Sequence, residues 1–251
     1  MIRGLYTSAS GMLAEMARTD VLSNNLANVN TFGFKKNGTV FRAFPEMDIH
    51  RFEKSGAPYI GKLGTGARVD QIYVDFAPGQ LQTTSNPLDL ALKDDTAGES
   101  SFFTVQGPNG ELIYTRDGSF TLDVEGYLVT KEGYYVMGEG GPINLSGGTD
   151  VAVNEQGEVF LDGRLVDRLN VAAFPQDAVF QKIGDNYFRI EGQPVESEAK
   201  VVQGAIEGSN VNAVSEMVNL ISAFRSYEAN QRIITAHDET LEKAVSEIGR
   251  I

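Results

Sequence analysis

Leu220, Tyr227, Ile234, Leu241 and Ile248 recur every seven residues near the end of the chain. That spacing keeps side chains on one face of an α-helix and predicts a single helix over residues 211–248. Met217 and Phe224 lie three residues before the first two of these, and Ala223, Ala244 and Ile251 lie three after members of the same series. Ser209 or Asn210 is the expected N-cap, with Glu216 in the second turn beside the positive end of the helix dipole. Such a helix is about 55 Å long at about 1.5 Å per residue. A globule of 251 residues cannot bury it, so it needs a partner.

The other end of the chain offers one. Ile2, Leu5, Ala9, Met12, Met16, Thr19, Ser23 and Leu26 alternate at spacings of three and four, with Leu13 beside the stripe. This predicts a helix over residues 3–30, stopped by Asn30, Thr31 and Gly33, since Asn and Gly tolerate the left-handed conformation that ends helices. Its stripe holds small and polar residues, a weak seam for a two-helix coil. Residues 1–44 carry a net charge of +3 and residues 209–251 one of −2, which favours pairing. The end of the first helix is unusual: Asn24, Asn25, Asn28 and Asn30 sit where a solvated helix normally carries charge. Amides satisfy hydrogen bonds without the desolvation cost of buried charge. They therefore suggest a helix packed on several sides by neighbouring chains.

Between the helices the pattern changes to period two. The segment ELIYTRDGSFTLDVEGYLVTKEGYYVMG (111–138) alternates apolar and polar residues around Asp117-Gly118, Glu125-Gly126 and Glu132-Gly133, a hairpin signature. Further strands are expected at Val151–Val153, Val159–Leu161, Leu169–Phe174, Tyr187–Ile190 and Val201–Ile206. The fold class is therefore α+β. A discontinuous, coiled-coil-like terminal helical domain (1–44 and 207–251) joins a central, mainly antiparallel β domain (79–206). Residues 45–78, with Pro45, Pro58, Pro78 and the glycines of GKLGTG, read as an extended connector.

Composition narrows the function. A net charge of −13 argues against nucleic-acid binding, which needs a basic footprint. Without cysteine there is no disulfide, thiolate metal site or thiol nucleophile. No apolar run approaches the roughly 18 residues of a membrane span, so no membrane insertion is expected. MIRGLYTSASGMLAEMARTD lacks the continuous apolar core of a cleavable signal peptide.

Catalytic patterns are missing as well. His50 reads as a solvated loop residue and His237 as a packed helix residue, and neither HExxH nor GxSxG occurs. GKLGTG has no strand before it and no helix after it, so it reads as a flexible loop rather than a phosphate cradle. Asp94 and Asp95 could form a carboxylate pair for hydrolysis or metal binding, but adjacent residues on a strand or loop are expected to point apart. No enzyme, cofactor or metal is expected.

Four separated segments carry a resemblance. LSNNLANVNTFGFKK contains Asn25, Leu26, Ala27, Asn28, Thr31, Gly33, Phe34 and Lys35; NPLDLAL spans 86–92; YTRDGSFTLDVEGYLVT spans 114–130. The fourth, GAIEGSNVNAVSEMVNLISAFRSYEANQRII (204–234), includes Glu207, Ser209, Asn210, Val211, Tyr227 and Glu228. From end to end the chain resembles the flagellar basal-body rod and hook family of axial proteins. The length of 251 residues suits the rod rather than the hook, and GEGGPINL (138–145), followed by a strand and NEQGEVFLDG, resembles the proximal-rod type more than the distal one. The resemblance implies paired terminal helices forming an inner axial core, a β domain outside it, and helical stacking into a hollow tube. It implies as partners copies of the same chain, neighbouring rod and hook proteins, and the flagellar type III export apparatus. The residues expected in terminal-helix or inter-subunit packing are Leu5, Met12, Met16, Asn25, Leu26, Ala27, Asn28, Gly33 and Phe34, with Met217, Leu220, Phe224, Tyr227, Ile234 and Leu241. Two rival readings are a cell-wall hydrolase, for which no carboxylate is singled out, and a carbohydrate-binding β protein using Tyr134 or Tyr135.

Overall fold

A computed structural model of the chain describes residues 2–51, 57–94, 99–175 and 178–248; Asp95 and Ile251, named above, lie outside them. The chain divides into two compact units.

The first unit comprises residues 1–27, 37–74 and 212–251. Helix α1 runs over Ile2–Ala27 and helix α2 over Ala213–Ile248. The cap of α2 is neither Ser209 nor Asn210: Asn212 Oδ1 accepts from the Ser215 amide at 3.0 Å. An Asx side chain at this position supplies an acceptor to an otherwise unpaired first-turn N–H, and Glu216 then lies within the first turn. Residues 45–78 do not form a bare connector. Asn37–Ala43 pairs antiparallel with Ala67–Val74, and Met47–His50 with Tyr59–Leu63. These two successive two-stranded sheets make up a ribbon, bulged between Val40 and Phe41 and again between Ile49 and His50. The alternation in ARVDQIYV (67–74) specifies a strand, and the prolines fall outside the paired residues.

The second unit comprises residues 28–36 and 75–211. Its main sheet is organised on Glu99–Gln106, which pairs with Leu112–Thr115 on one side and with Tyr135–Val136 and Val171–Pro175 on the other. Six consecutive residues of this strand, Ser100–Val105, are buried, because both faces are covered. One face, with Phe103 and Val105, packs on Leu90, Phe120, Leu128, Ile143 and Val159. The other carries Phe102, whose ring lies 5.6 Å from Phe76, 6.3 Å from Phe174, 6.0 Å from Phe180 and 5.6 Å from Phe188. These tilted and edge-on contacts suit the quadrupoles of the rings. Val151–Val153, Glu158–Leu161 and Arg164–Arg168 form a separate three-stranded sheet. The expected strand Val201–Ile206 is two strands, Lys200–Gln203 and Ala205–Glu207, broken at Gly204 with φ +74°.

Truncating Phe102 to Ala removes the centre of this aromatic cluster and should cost about 3–5 kcal/mol of stability. Urea melts followed by β-sheet circular dichroism test this; a loss below about 1 kcal/mol would mean that the cluster collapses to fill the space.

Candidate assembly surface

Within the helical unit, α1 and α2 are antiparallel. Gly4 lies against His237, Gly11 against Asn230 and Asn25 against Glu216. The α2 seam is Glu216, Leu220, Ala223, Tyr227, Asn230, Ile234, His237, Leu241 and Ala244, each buried or half-buried and spaced alternately by four and three. Met217 and Phe224 do not belong to it. They sit one position past Glu216 and Ala223, about 100° around the helix, and are 44% and 49% exposed.

On α1, Leu5, Met12 and Leu26 are half-buried, while Met16 and Ala27 are exposed. Glycine notches shape this side. A methyl group at Gly4 would lie 2.5 Å from His237 Nε2, and one at Gly11 2.9 Å from the Asn230 side-chain amide. A glycine every seventh residue lets polar α2 side chains seat against the α1 backbone. Sequence reasoning treats glycine as a helix breaker and passes over such notches; the spacing of seven was the available signal. Another side of α1 faces the ribbon, with Thr7 donating to the Thr65 carbonyl at 3.2 Å and the Arg18 guanidinium over the Phe41 ring.

The amides serve the chain itself. Asn25, 1% exposed, donates to the Asn37 carbonyl and accepts from the Asn37 amide, each at 2.8 Å. One amide side chain thus copies both halves of a backbone pairing and ties the end of α1 to the start of the ribbon. The expectation that Asn25 bonds to neighbouring chains is therefore corrected. Asn28 belongs to the β unit: it reaches Asp185 at 3.5 Å and accepts from the Thr31 hydroxyl at 3.0 Å.

Part of what remains uncovered on the helical unit is apolar. Val214, Met217, Val218, Ile221 and Phe224 are 69%, 44%, 61%, 53% and 49% exposed. They follow the three-and-four spacing of a helix face over about three turns. Tyr6, Leu13 and Met16 on α1, and Val40, Met47, Tyr59, Ile60, Ile72 and Tyr73 on the ribbon, are exposed too. A contiguous apolar stripe on a helix marks an interaction surface.

The second half of the N-terminal motif lies in the β unit. Gly33 has φ +66°, and a methyl there would lie 2.4 Å from the Asp117 amide, so only glycine fits. Phe34 is fully buried. Lys35, 1% exposed, donates to Glu207 at 2.7 Å and to the Ala77 carbonyl at 3.0 Å. Burial pulls its pKa below the usual lysine range, against the opposing attraction of Glu207. Arg116, equally buried, pairs with Asp94, approaches Glu207 at 3.6 Å and stacks over Phe102. Asp94 is thus half of an ion pair. Above Phe34, the Lys182 ammonium sits 3.9 Å from the ring centroid without a hydrogen bond.

Neither histidine has catalytic surroundings. His50 contacts the Ala57 carbonyl and Tyr59, while His237 lies in the helix seam. Among the described residues no group of three or more His, Asp or Glu could hold a metal, and no helix is long and apolar enough to cross a membrane.

Comparisons with known proteins agree across the chain. Residues 5–35 match the family described as flagella basal body rod protein, residues 98–161 the flagellar hook protein FlgE/F/G D1 domain, and residues 202–247 the flagellar basal body rod FlgEFG protein C-terminal family. The chain is 33% identical to the flagellar basal-body rod protein FlgG of Buchnera aphidicola subsp. Acyrthosiphon pisum, over 97% of this chain and 98% of that protein. It is 33% identical to the flagellar hook-basal body complex protein FlhO of Bacillus subtilis over the whole of both chains. It is 31% identical to FlgG of Caulobacter vibrioides, over 96% and 97%.

Replacing Asn25 with Ala strands the half-buried Asn37 amide and should lower the stability of the helical unit by about 1–3 kcal/mol. The exposed Ser23→Ala should stay within about 0.5 kcal/mol. Helical circular dichroism in urea distinguishes the two, and equal effects would refute the bridging role. For Lys182, burial lowers the pKa to about 8 from 10.5, with Asp185 pulling the other way. The folded state then binds fewer protons than the unfolded one between those values, so stability rises with pH across that window. Lys182→Met should therefore stabilise at neutral pH, with an advantage that shrinks as pH climbs past about 8. Melts of both proteins on either side of that window check it, and a pH-independent difference would contradict it.

Proposed function

The chain belongs to the flagellar basal-body rod protein family, and from that premise we propose that its terminal helix pair is the surface through which subunits stack into the rod. It is a structural protein of the flagellar basal body, like its relatives, rather than an enzyme. It assembles with other rod and hook components into the shaft that carries torque from motor to hook. The observation that carries the proposal is the exposed stripe Val214, Met217, Val218, Ile221 and Phe224 on a helix whose other side is already occupied by α1. Burying such side chains fully contributes roughly 1.5–3 kcal/mol each. Repeated in every subunit, that supports a polymer.

The roles of the expected packing residues divide accordingly. Leu5, Met12, Leu26, Leu220, Tyr227, Ile234 and Leu241 hold the pair together within a subunit. Met16, Met217 and Phe224 face other subunits. Export through the flagellar type III apparatus and a place in the proximal rod belong to the same proposal, resting on family likeness and on residues 138–145 respectively.

Ile221→Glu combined with Phe224→Glu should leave the melt of the isolated subunit within about 0.5 kcal/mol of the parent, because both side chains are exposed. Rod assembly and motility should be lost, as read by electron microscopy of basal bodies and by swarming. Motile cells with normal rods would overturn the assignment of this face.

A further inference from the structure

The chain crosses the boundary of the β unit at four places, and three of them, after Lys36, before Asp75 and after Val211, end segments that meet. Within that unit the three segments are bonded to one another. The Asp75 amide donates to the Lys36 carbonyl at 2.9 Å, and the Lys36 ammonium pairs with the Asp75 carboxylate at 3.3 Å. Asn210 joins the third segment to both: its side-chain oxygen accepts from the Lys36 amide at 2.8 Å, and its NH₂ donates to the Asp75 and Ala77 carbonyls at 2.8 and 3.1 Å. Deeper in, the Glu207 backbone carbonyl accepts from the Gly33 amide at 2.8 Å. Its carboxylate accepts from Lys35 and from the Gly79 amide, both at 2.7 Å. A methyl at Gly79 would stand 2.0 Å from the Gly208 carbonyl oxygen, a measure of how closely two of the segments approach.

We propose that this arrangement is a clasp: a single cooperative element, closed by the Lys35–Glu207 pair, that opens and closes as a whole. The reason is electrostatic. Lys35, Arg116 and Glu207 are each 1–2% exposed, so none finds water when a partner is withdrawn. A buried ion pair that loses one member leaves an uncompensated charge in a poorly polarisable surrounding. Removing Lys35 would leave Glu207 only Arg116 as a cationic partner, which stands farther off at 3.6 Å and is already paired with Asp94. Glu207 also anchors Gly79 and, through its backbone, Gly33, so the three segments then lose their common fixed point together. One member comes from the N-terminal segment and another from the C-terminal one, about 170 residues apart as 35 and 207. The β unit therefore completes its core only when segments near both ends of the chain are in place. The clasp does not depend on what the protein assembles with.

Hydrogen exchange on the full-length protein tests this. In Lys35→Met, protection should fall about tenfold or more, together, over residues 33–36, 75–80 and 205–211, since a cooperative element opens as one. The three-stranded sheet spanning residues 151–168 should stay as protected as in the parent. Asn210→Ala, which removes shared ties without stranding a charge, should produce the same pattern at smaller amplitude and serves if Lys35→Met does not fold. Loss confined to residues 33–36 or to the immediate surroundings of Asn210 would overturn the proposal. So would a loss spread evenly over the whole β unit.

Discussion

Burying a lysine, an arginine and a glutamate in one spot is the constraint around which the β unit is arranged. Each charge is costly to remove from water, and only near-complete pairing offsets that cost. Lys35 bonds one carboxylate oxygen of Glu207, the other faces Arg116 at 3.6 Å, and Arg116 is pinned by Asp94 and by the Phe102 ring. Each partner comes from a different part of the chain, so the pairing positions all of them at once. Gly33 and Phe34 follow from this placement. The backbone must turn left-handed beside Asp117 to deliver Lys35, and Phe34 fills the apolar space beneath Lys182.

The helical unit solves a different problem by different means. Its seam is only partly apolar, with Asn230 and His237 seated in the glycine notches of α1 and Asn25 pairing with backbone at the lower end. A seam of this kind specifies register well, because in a slipped pair Asn230 and His237 would meet side chains in place of the glycines. It contributes less apolar burial than leucines would. Much of the apolar surface of α2 lies outside the seam, exposed in the isolated subunit. A rod subunit has reason to be built this way: stability deferred to the polymer interface makes assembly favourable.

The sequence carried most of this in its periodicities. The seven-residue repeat from Leu220 to Leu241 determined that α2 is one long helix in need of partners, and the Asp-Gly and Glu-Gly punctuation determined an antiparallel β unit. The four family segments determined what the chain belongs to. Such signals are local or regular, so they survive without coordinates. Tertiary structure alone decided the rest. It decided that residues 37–74 form a ribbon with the helices and that 28–36 belong to the β unit. It decided that Met217 and Phe224 face outward, and that Asn25 turns inward to Asn37. It decided that Lys35 meets Glu207. The physical reason is common to all of these: a side chain's role depends on which partner removes it from water, and that partner can lie more than a hundred residues away, where no local pattern records it.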